Sequence, residues 1–406
     1  MTDNRWKVTL GVLSVTCVLM SLSYTMLVPF LPMYLSDELG VDPSRVNLWS
    51  GIVFSAAFLV SGIMAPVWGA MADRHSRKMM ALRAAVLLSV SYTLGGLVQN
   101  EWQLLAMRCF QGFSAGLWPA CLAIMSSAAP RDRLGFSLGT LQGAQTAGGV
   151  LGPLFGGVLS EFFGMRATFF LGGASLLLAA LLILVFIKEP PRRRTAKAEK
   201  NDDTMHLFKI PAVRQMLVAA CLVQFAGLVL QPVLPQYIGE LLGSNDRLVL
   251  YTGILFSLVG VAGVVASPVW GALGQSWSYR PMLCAALGGT AFFGMVQCIP
   301  DSVVWFGIWR FVGGITFAGI FPAINAVLTM STAPEDRGRV FGLSYAVQQA
   351  GSVLGPLAGG VIGMFMPLWF VVFVSGFLLA PIALYLLFTK PDESARQGSG
   401  EQRRFD

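Results

Sequence analysis

Two arginines stand inside stretches that are otherwise apolar. Arg108 lies in Leu105-Ala106-Met107-Arg108-Cys109-Phe110-Gln111-Gly112, and Arg310 in Trp309-Arg310-Phe311-Val312-Gly313-Gly314. A guanidinium keeps its proton, and in hydrocarbon it costs about 2.5 to 3.5 kcal/mol even on the most lenient scale, so each must face water, a ligand or a partner. No carboxylate accompanies them: every Asp and Glu falls in a predicted loop or at the edge of an apolar stretch, among them Asp37, Glu38, Glu101, Glu161 and Glu240. The fixed interior charge is therefore positive, and a site built around it favours neutral, zwitterionic or anionic molecules. Enzyme chemistry finds little material. His75 and His206 sit in polar segments, and no loop has the pattern that cradles a nucleotide. Cys17, Cys109, Cys121, Cys221, Cys284 and Cys298 fall in apolar stretches without metal-ligand spacing and are read as small buried hydrophobes. No catalytic residue, metal site or cofactor is expected.

The elements that hold these arginines are read from composition. The 406 residues are 55% hydrophobic and 12% charged, against about 25% charged in a soluble domain, which marks a membrane protein. Continuous apolar runs such as Leu171 to Ile187 select helices over barrel strands, each run being near the ~20 residues that cross a bilayer. Twelve spans are predicted at 8–30, 48–71, 80–98, 102–126, 136–160, 167–187, 214–238, 248–271, 281–299, 303–330, 340–363 and 368–388. Arg108 then lies ~9 Å in from Trp102 by helical rise. Val8 to Val28 is too long for a signal-peptide core and is read as a retained first span.

Charge placement orients the helices. Among 28 Lys and Arg, Arg45, Arg166 and Arg247 fall on one side and Arg108 and Arg310 in the interior, while the rest fall on the other side. That asymmetry follows the positive-inside rule rather than a nucleic-acid footprint and puts both termini in the cytoplasm. The polar segment 188–213 divides six spans (1–187) from six (214–389) and is read as a cytoplasmic linker against anionic headgroups. The tail 390–406 is expected to be disordered.

The chain repeats itself. Gly148-Gly149-Val150-Leu151-Gly152-Pro153-Leu154-Phe155-Gly156-Gly157 returns as Gly351-Ser352-Val353-Leu354-Gly355-Pro356-Leu357-Ala358-Gly359-Gly360. Gly148, Gly152 and Gly156 share one helix face, as do Gly351, Gly355 and Gly359, letting a neighbour approach closely, while Pro153 and Pro356 bend the helix. Pro29 and Pro232, Trp68 and Trp270, and Arg108 and Arg310 recur at nearly the same offset, so the halves are parallel six-helix repeats.

Between spans 2 and 3, Gly69-Ala70-Met71-Ala72-Asp73-Arg74-His75-Ser76-Arg77-Lys78 places an acid at a helix C-terminus, where the dipole disfavours it and a cationic partner is required. The second copy has Gln275 in its place. With this loop, the Arg108 motif and the glycine–proline motif, the chain resembles the major facilitator superfamily, in its twelve-span drug/proton antiporter branch. The resemblance covers all twelve spans. It implies an all-α polytopic membrane fold, twelve transmembrane helices in two parallel six-helix pseudo-repeats, located in the inner membrane. It implies a secondary transporter that exports small amphipathic molecules by proton antiport and alternating access, with the proton gradient in place of a cofactor.

By the same resemblance spans 1, 4, 7 and 10, with help from 5 and 11, line a substrate cavity. Its expected residues are Tyr24, Arg108, Gln111, Gln145, Gln224, Gln231, Arg310, Phe317, Asn325 and Gln348, each of which also suits interhelical packing. Gly69, Asp73, Arg74, Arg77 and Lys78 form the expected cytoplasmic latch. Ser76 departs from the family's glycine, and the missing interior carboxylate leaves the proton site open between Asp73 and an edge acid. The expected partners are a neutral to anionic amphiphile and the lipid bilayer, without nucleic acid, and the chain is expected to act as a monomer. An exporter dedicated to one metabolite, sugar or metallophore shares this architecture, and a non-transporting membrane sensor is the more distant alternative.

Overall fold

A computed structural model describes residues 5–130, 133–188, 204–244, 247–276, 279–299, 301–333 and 336–388, and every regular element among them is a helix. The first repeat supplies α1 (Arg5–Leu27), α2 (Pro43–Arg74), α3 (Arg77–Gly95), α4 in two pieces (Glu101–Phe113 and Leu117–Ala128), α5 (Leu134–Phe163) and α6 (Met165–Phe186). The second supplies α7 (Pro211–Val229, with Leu234–Leu242 following), α8 (Leu248–Ser276), α9 (Tyr279–Val296), α10 (Val303–Phe317 and Ile320–Met330), α11 (Arg337–Phe365) and α12 (Leu368–Phe377 and Ala380–Phe388).

Local chemistry sets these boundaries. Pro29 and Pro32 lack the N–H that continues an α-ladder, so α1 gives way to a tight turn at Val28–Phe30 and a wide one at Tyr34–Glu38. Asp42 caps α2 by accepting the Ser44 N–H at 2.8 Å, and its Ser44 hydrogen bonds hold its carboxyl below the usual range. Ser76, the departure from the family's glycine, caps α3 by accepting the Met79 N–H at 3.2 Å.

Helices occupy all twelve predicted segments. Eight described stretches are long and apolar enough to cross a membrane by themselves. The other four helices are α3, α5, α9 and α11, which include the two carrying the glycine–proline motif. Residues 189–203 of the expected linker and the tail from 389 lie outside the described residues.

Two compact units result. One comprises Met1–Arg194, Gln231–Val261 and Pro356–Leu368; the other comprises Thr195–Leu230, Ala262–Gly355 and Trp369–Asp406. Leu13, Cys17, Tyr34, Phe54, Leu104, Met125, Leu141 and Leu176 belong to the core of the first. Leu217, Leu283, Leu287, Ile324, Leu328 and Val340 belong to that of the second.

The glycine–proline motif packs in the same way in both units. In the first, a Cβ at Gly148, Gly152 or Gly156 would collide with Val18, Thr25 or Met26 of α1. In the second, a Cβ at Gly351 or Gly355 would collide with the Cys221 or Phe225 carbonyl of α7, and Gly359 is buried on the same face. The motif's other side meets a different helix within the first unit. Gly253 of α8 lies against the Pro153 carbonyl, and Gly51 of α2 lies against the Pro356 carbonyl. One contact is the repeat image of the other.

Candidate functional site

Arg108 is held in the first unit by groups from four helices. Its residue is only 3% exposed, and Nη1 donates to Gln111 Oε1 at 2.7 Å, one turn along α4. The Phe54 ring of α2 lies 5.7 Å from the guanidinium, and the buried Tyr92 of α3 meets Gln111. Tyr24 of α1 is close enough to interact with the charge. Arg108 Nε and Nη2 are buried without a hydrogen-bond partner. Such donors cost about 1 to 3 kcal/mol each or more when charged, so this guanidinium is suited to a carboxylate, phosphate or carbonyl oxygen. Of the expected cavity residues, the fold thus gathers Tyr24, Arg108 and Gln111.

The others lie elsewhere. Gln145 Oε1 accepts from Gln142 Nε2 at 3.2 Å on its own helix. Gln231 belongs to the first unit, with a buried Oε1 that has no hydrogen-bond partner. In the second unit, Gln224 sits beside Gly351, Gln348 donates to Ser344 Oγ at 3.2 Å, and Phe317 meets Phe321 edge-on at 6.2 Å. Asn325 is exposed. Arg310 is half-buried, its guanidinium 5.8 Å from the Phe306 ring of its own helix. Where Arg108 has Tyr24, Tyr92 and Gln111 around it, the repeat-equivalent positions are Gly227, Gly294 and Gly313.

Both α4 and α10 are broken just beyond their arginines. In α4 the break falls at Ser114–Gly116, where Gly116 takes a left-handed backbone with φ of 117°. Pro119 lacks the N–H that would bond the Ala115 carbonyl, which is thereby left to another donor. Arg83 Nη2 supplies it at 2.9 Å, and Trp68 Nε1 donates to the Phe113 carbonyl at 2.8 Å. The Arg83 guanidinium stacks 3.5 Å from the Trp68 ring centroid. Arg83 therefore joins Arg108 as a cation packed between helices, a role the sequence reading missed. Its position inside the predicted span 80–98 was the available signal.

In the first turn of α3, Arg77 Nη1 donates to the Ala123 carbonyl at 2.8 Å and Lys78 Nζ to the Leu184 carbonyl at 2.7 Å. Lys78 thereby caps the C-terminal end of α6, where helix carbonyls are unsatisfied, while Arg77 bonds α4 one turn before its end. Arg280, the repeat equivalent of Lys78, bonds Leu386 O at 3.3 Å in the same manner. Gly69 has open space around it. The side chains of Asp73, Arg74 and Gln275 lie outside the described residues, so the latch stays an expectation.

Edge carboxylates divide by their surroundings. Glu38 accepts from Arg166 Nε at 2.8 Å, while Arg166 Nη1 also reaches the Gly96 carbonyl at 3.3 Å. Burial raises the Glu240 carboxyl above its ordinary value. Near the start of α11, Asp336 bonds His206 Nε2 at 3.0 Å and Arg339 Nη1 at 3.1 Å. No spacing in the sequence predicts that cluster. Among the described residues, no group of His, Cys, Asp and Glu is arranged to hold a metal ion.

Comparison with known proteins places the chain. The model of the Major Facilitator Superfamily matches residues 13–259 and 216–406. The chain is 35% identical over 366 residues to the multidrug resistance protein MdtG of Escherichia fergusonii, covering 88% of each chain. It is 32% identical over 361 residues to the protein of that name in Yersinia enterocolitica, covering 88% of this chain and 87% of the relative. Among solved structures it resembles the nucleoside transporter NupG, with a TM-score of 0.79 at 14% identity over 96% of this chain and 100% of that one. It also resembles a bacterial homolog of the human lysosomal transporter Spinster in an inward-facing, occupied conformation, with a TM-score of 0.79 at 16% identity over 95% and 97% of the two chains.

Proposed function

Because the chain belongs to the major facilitator superfamily, a family of membrane transporters, we propose that it exports small amphipathic molecules across the inner membrane in exchange for protons. In this reading it works as a monomer with both termini in the cytoplasm, and its six-helix bundles, residues 1–187 and 214–389, rock to give alternating access to the substrate. The MdtG relatives, which carry the name multidrug resistance protein, support export of drug-like molecules.

The observation that carries the substrate class is the Arg108 guanidinium, buried with two unpartnered donors and no carboxylate beside it. It favours a neutral to anionic amphiphile whose oxygen completes that hydrogen bonding, while Tyr24 and Gln111 orient it. The remaining cavity candidates, including Gln145, Gln231, Arg310 and Gln348, line the path without adding negative charge. Asp73 steadies the state closed to the cytoplasm, and either it or an edge acid such as Glu240 carries the proton.

Flux of calcein, an anionic dye, and of ethidium, a cationic one, in proteoliposomes under a pH gradient of either sign tests this reading. The expected result is calcein flux that reverses with the gradient and exceeds ethidium flux. Indifference to the gradient removes proton coupling, and equal or greater ethidium flux removes the substrate class.

A further inference from the structure

The break in α4 lies immediately beyond the Arg108–Gln111 pair, and two side chains from other helices hold it. Gln111 is only two residues from Phe113, whose carbonyl takes the Trp68 indole N–H. The next exposed carbonyl, Ala115, takes Arg83 Nη2. Trp68 also meets the Phe113 ring edge-on at 5.1 Å, and the Arg83 guanidinium lies 3.5 Å from the indole centroid. Gly116 is required by this arrangement, since its left-handed backbone and missing side chain leave space for Arg83 Nη2.

The second repeat retains only part of the device. Trp270 Nε1 donates to the Ile315 carbonyl at 2.7 Å, and the Trp270 ring occupies the space above Gly319. Ala285 stands at the position equivalent to Arg83, and Gly319 has φ of −80°, so neither the cation nor the left-handed turn recurs. In the second repeat Trp270 covers the broken helix without an equivalent of Arg83. Arg83 is an addition confined to the repeat that has Gln111.

We propose that Trp68 and Arg83 are positioning residues, clamping the broken α4 so that Arg108 and Gln111 are held toward their ligand; this rests on reading that pair as the substrate site. Trp68 lies on α2 five residues before Asp73, and Arg83 lies on α3 five residues after Lys78. The clamp therefore also joins the two helices flanking the Asp73 loop to the pair, so that movement of that loop is felt at the ligand.

Hydrogen exchange of the full chain in lipid nanodiscs tests the clamp without a substrate. Trp68→Phe removes one donor, Arg83→Gln removes the cation, and Trp270→Phe is the control in the other repeat. In the first two, exchange is expected to rise about tenfold over both 104–112 and 113–118, with 303–320 unchanged. Trp270→Phe should show the converse, and Arg83→Lys should recover more than half of the lost protection. A rise confined to 113–118 reduces the clamp to a local cap and overturns the proposal. So does an equal rise in 303–320, which marks general loosening, or no rise at all. Should Arg83→Gln fail to fold, Trp68→Phe and Arg83→Lys decide the matter.

In proteoliposomes Arg83→Gln should raise the apparent KM for calcein about tenfold with the maximal rate within about twofold, and Arg83→Lys should reverse most of it. A lowered maximal rate at unchanged KM counts against positioning of the ligand site. Wild type moving no calcein overturns the anionic-substrate reading, while hydrogen exchange still decides the clamp.

Discussion

Arg108 and Arg310 occupy the same place in two copies of one helix, yet the residues at the positions around Arg108 are not repeated around Arg310. Around Arg108 the first unit assembles an amide, two phenols and a phenyl ring. At the equivalent positions the second repeat has Gly227, Gly294 and Gly313, and it keeps only Phe256 where Phe54 stands. The packing glycines behave differently: Gly148 and Gly152 press on Val18 and Leu22, and Gly351 and Gly355 press on Cys221 and Phe225, residue for equivalent residue. Backbone geometry is therefore held in common while side-chain chemistry has diverged. A helix crossing tolerates one solution, whereas a polar site needs to exist only once.

Six substitutions probe that contrast. The largest effect should come from the shared architecture, with Gly152→Leu and Gly355→Leu each losing about 3 kcal/mol and most of the folded protein. Thermal unfolding and monodisperse yield in detergent measure this, and a large difference between the two variants contradicts equal packing. Arg108→Gln should then lower calcein flux about 100-fold, equivalent to about 2.7 kcal/mol, while Arg310→Gln lowers it less than about fivefold. Equal losses would make the two sites chemically alike.

Gln111→Glu comes next, since it places a carboxylate against Arg108. Calcein flux should fall about tenfold and ethidium flux should rise, as the local charge changes from positive to neutral. The smallest effect is expected from Glu38→Gln, which breaks the part-exposed pair with Arg166. About 1 kcal/mol of stability or less should be lost, with flux unchanged, because solvent screens this pair. A strong loss of flux there would move the proton site to that end of the molecule.

Much of the fold was legible because it depends on spacing. The glycine–proline motif specifies a close helix crossing wherever it occurs, and the constant offset between its copies specifies the repeat. Arg108 was legible because a guanidinium in an apolar run has few explanations. Arg83 was not, since five residues from Lys78 it resembles one more basic residue of a loop. Its partner is a carbonyl released by Pro119, and no side-chain pattern advertises a carbonyl. Similarly, Tyr92 becomes part of the site only through the crossing of α3 and α4, and His206 meets Asp336 across a sequence separation of 130 residues. Gln145 bonds Gln142 on its own helix and Asn325 is exposed, so neither is drawn into the Arg108 cluster that residue type also suggested.

The paired approach of Gly51 to Pro356 and of Gly253 to Pro153 makes a seam of glycine against a proline carbonyl. Contacts between Cα–H and carbonyl oxygen contribute only about 0.5 to 1 kcal/mol each. No N–H takes part in these contacts, so the seam itself satisfies no backbone donor. Such a joint is held by shape more than by bonding energy. A side chain added at either glycine would act as a wedge between the two helices.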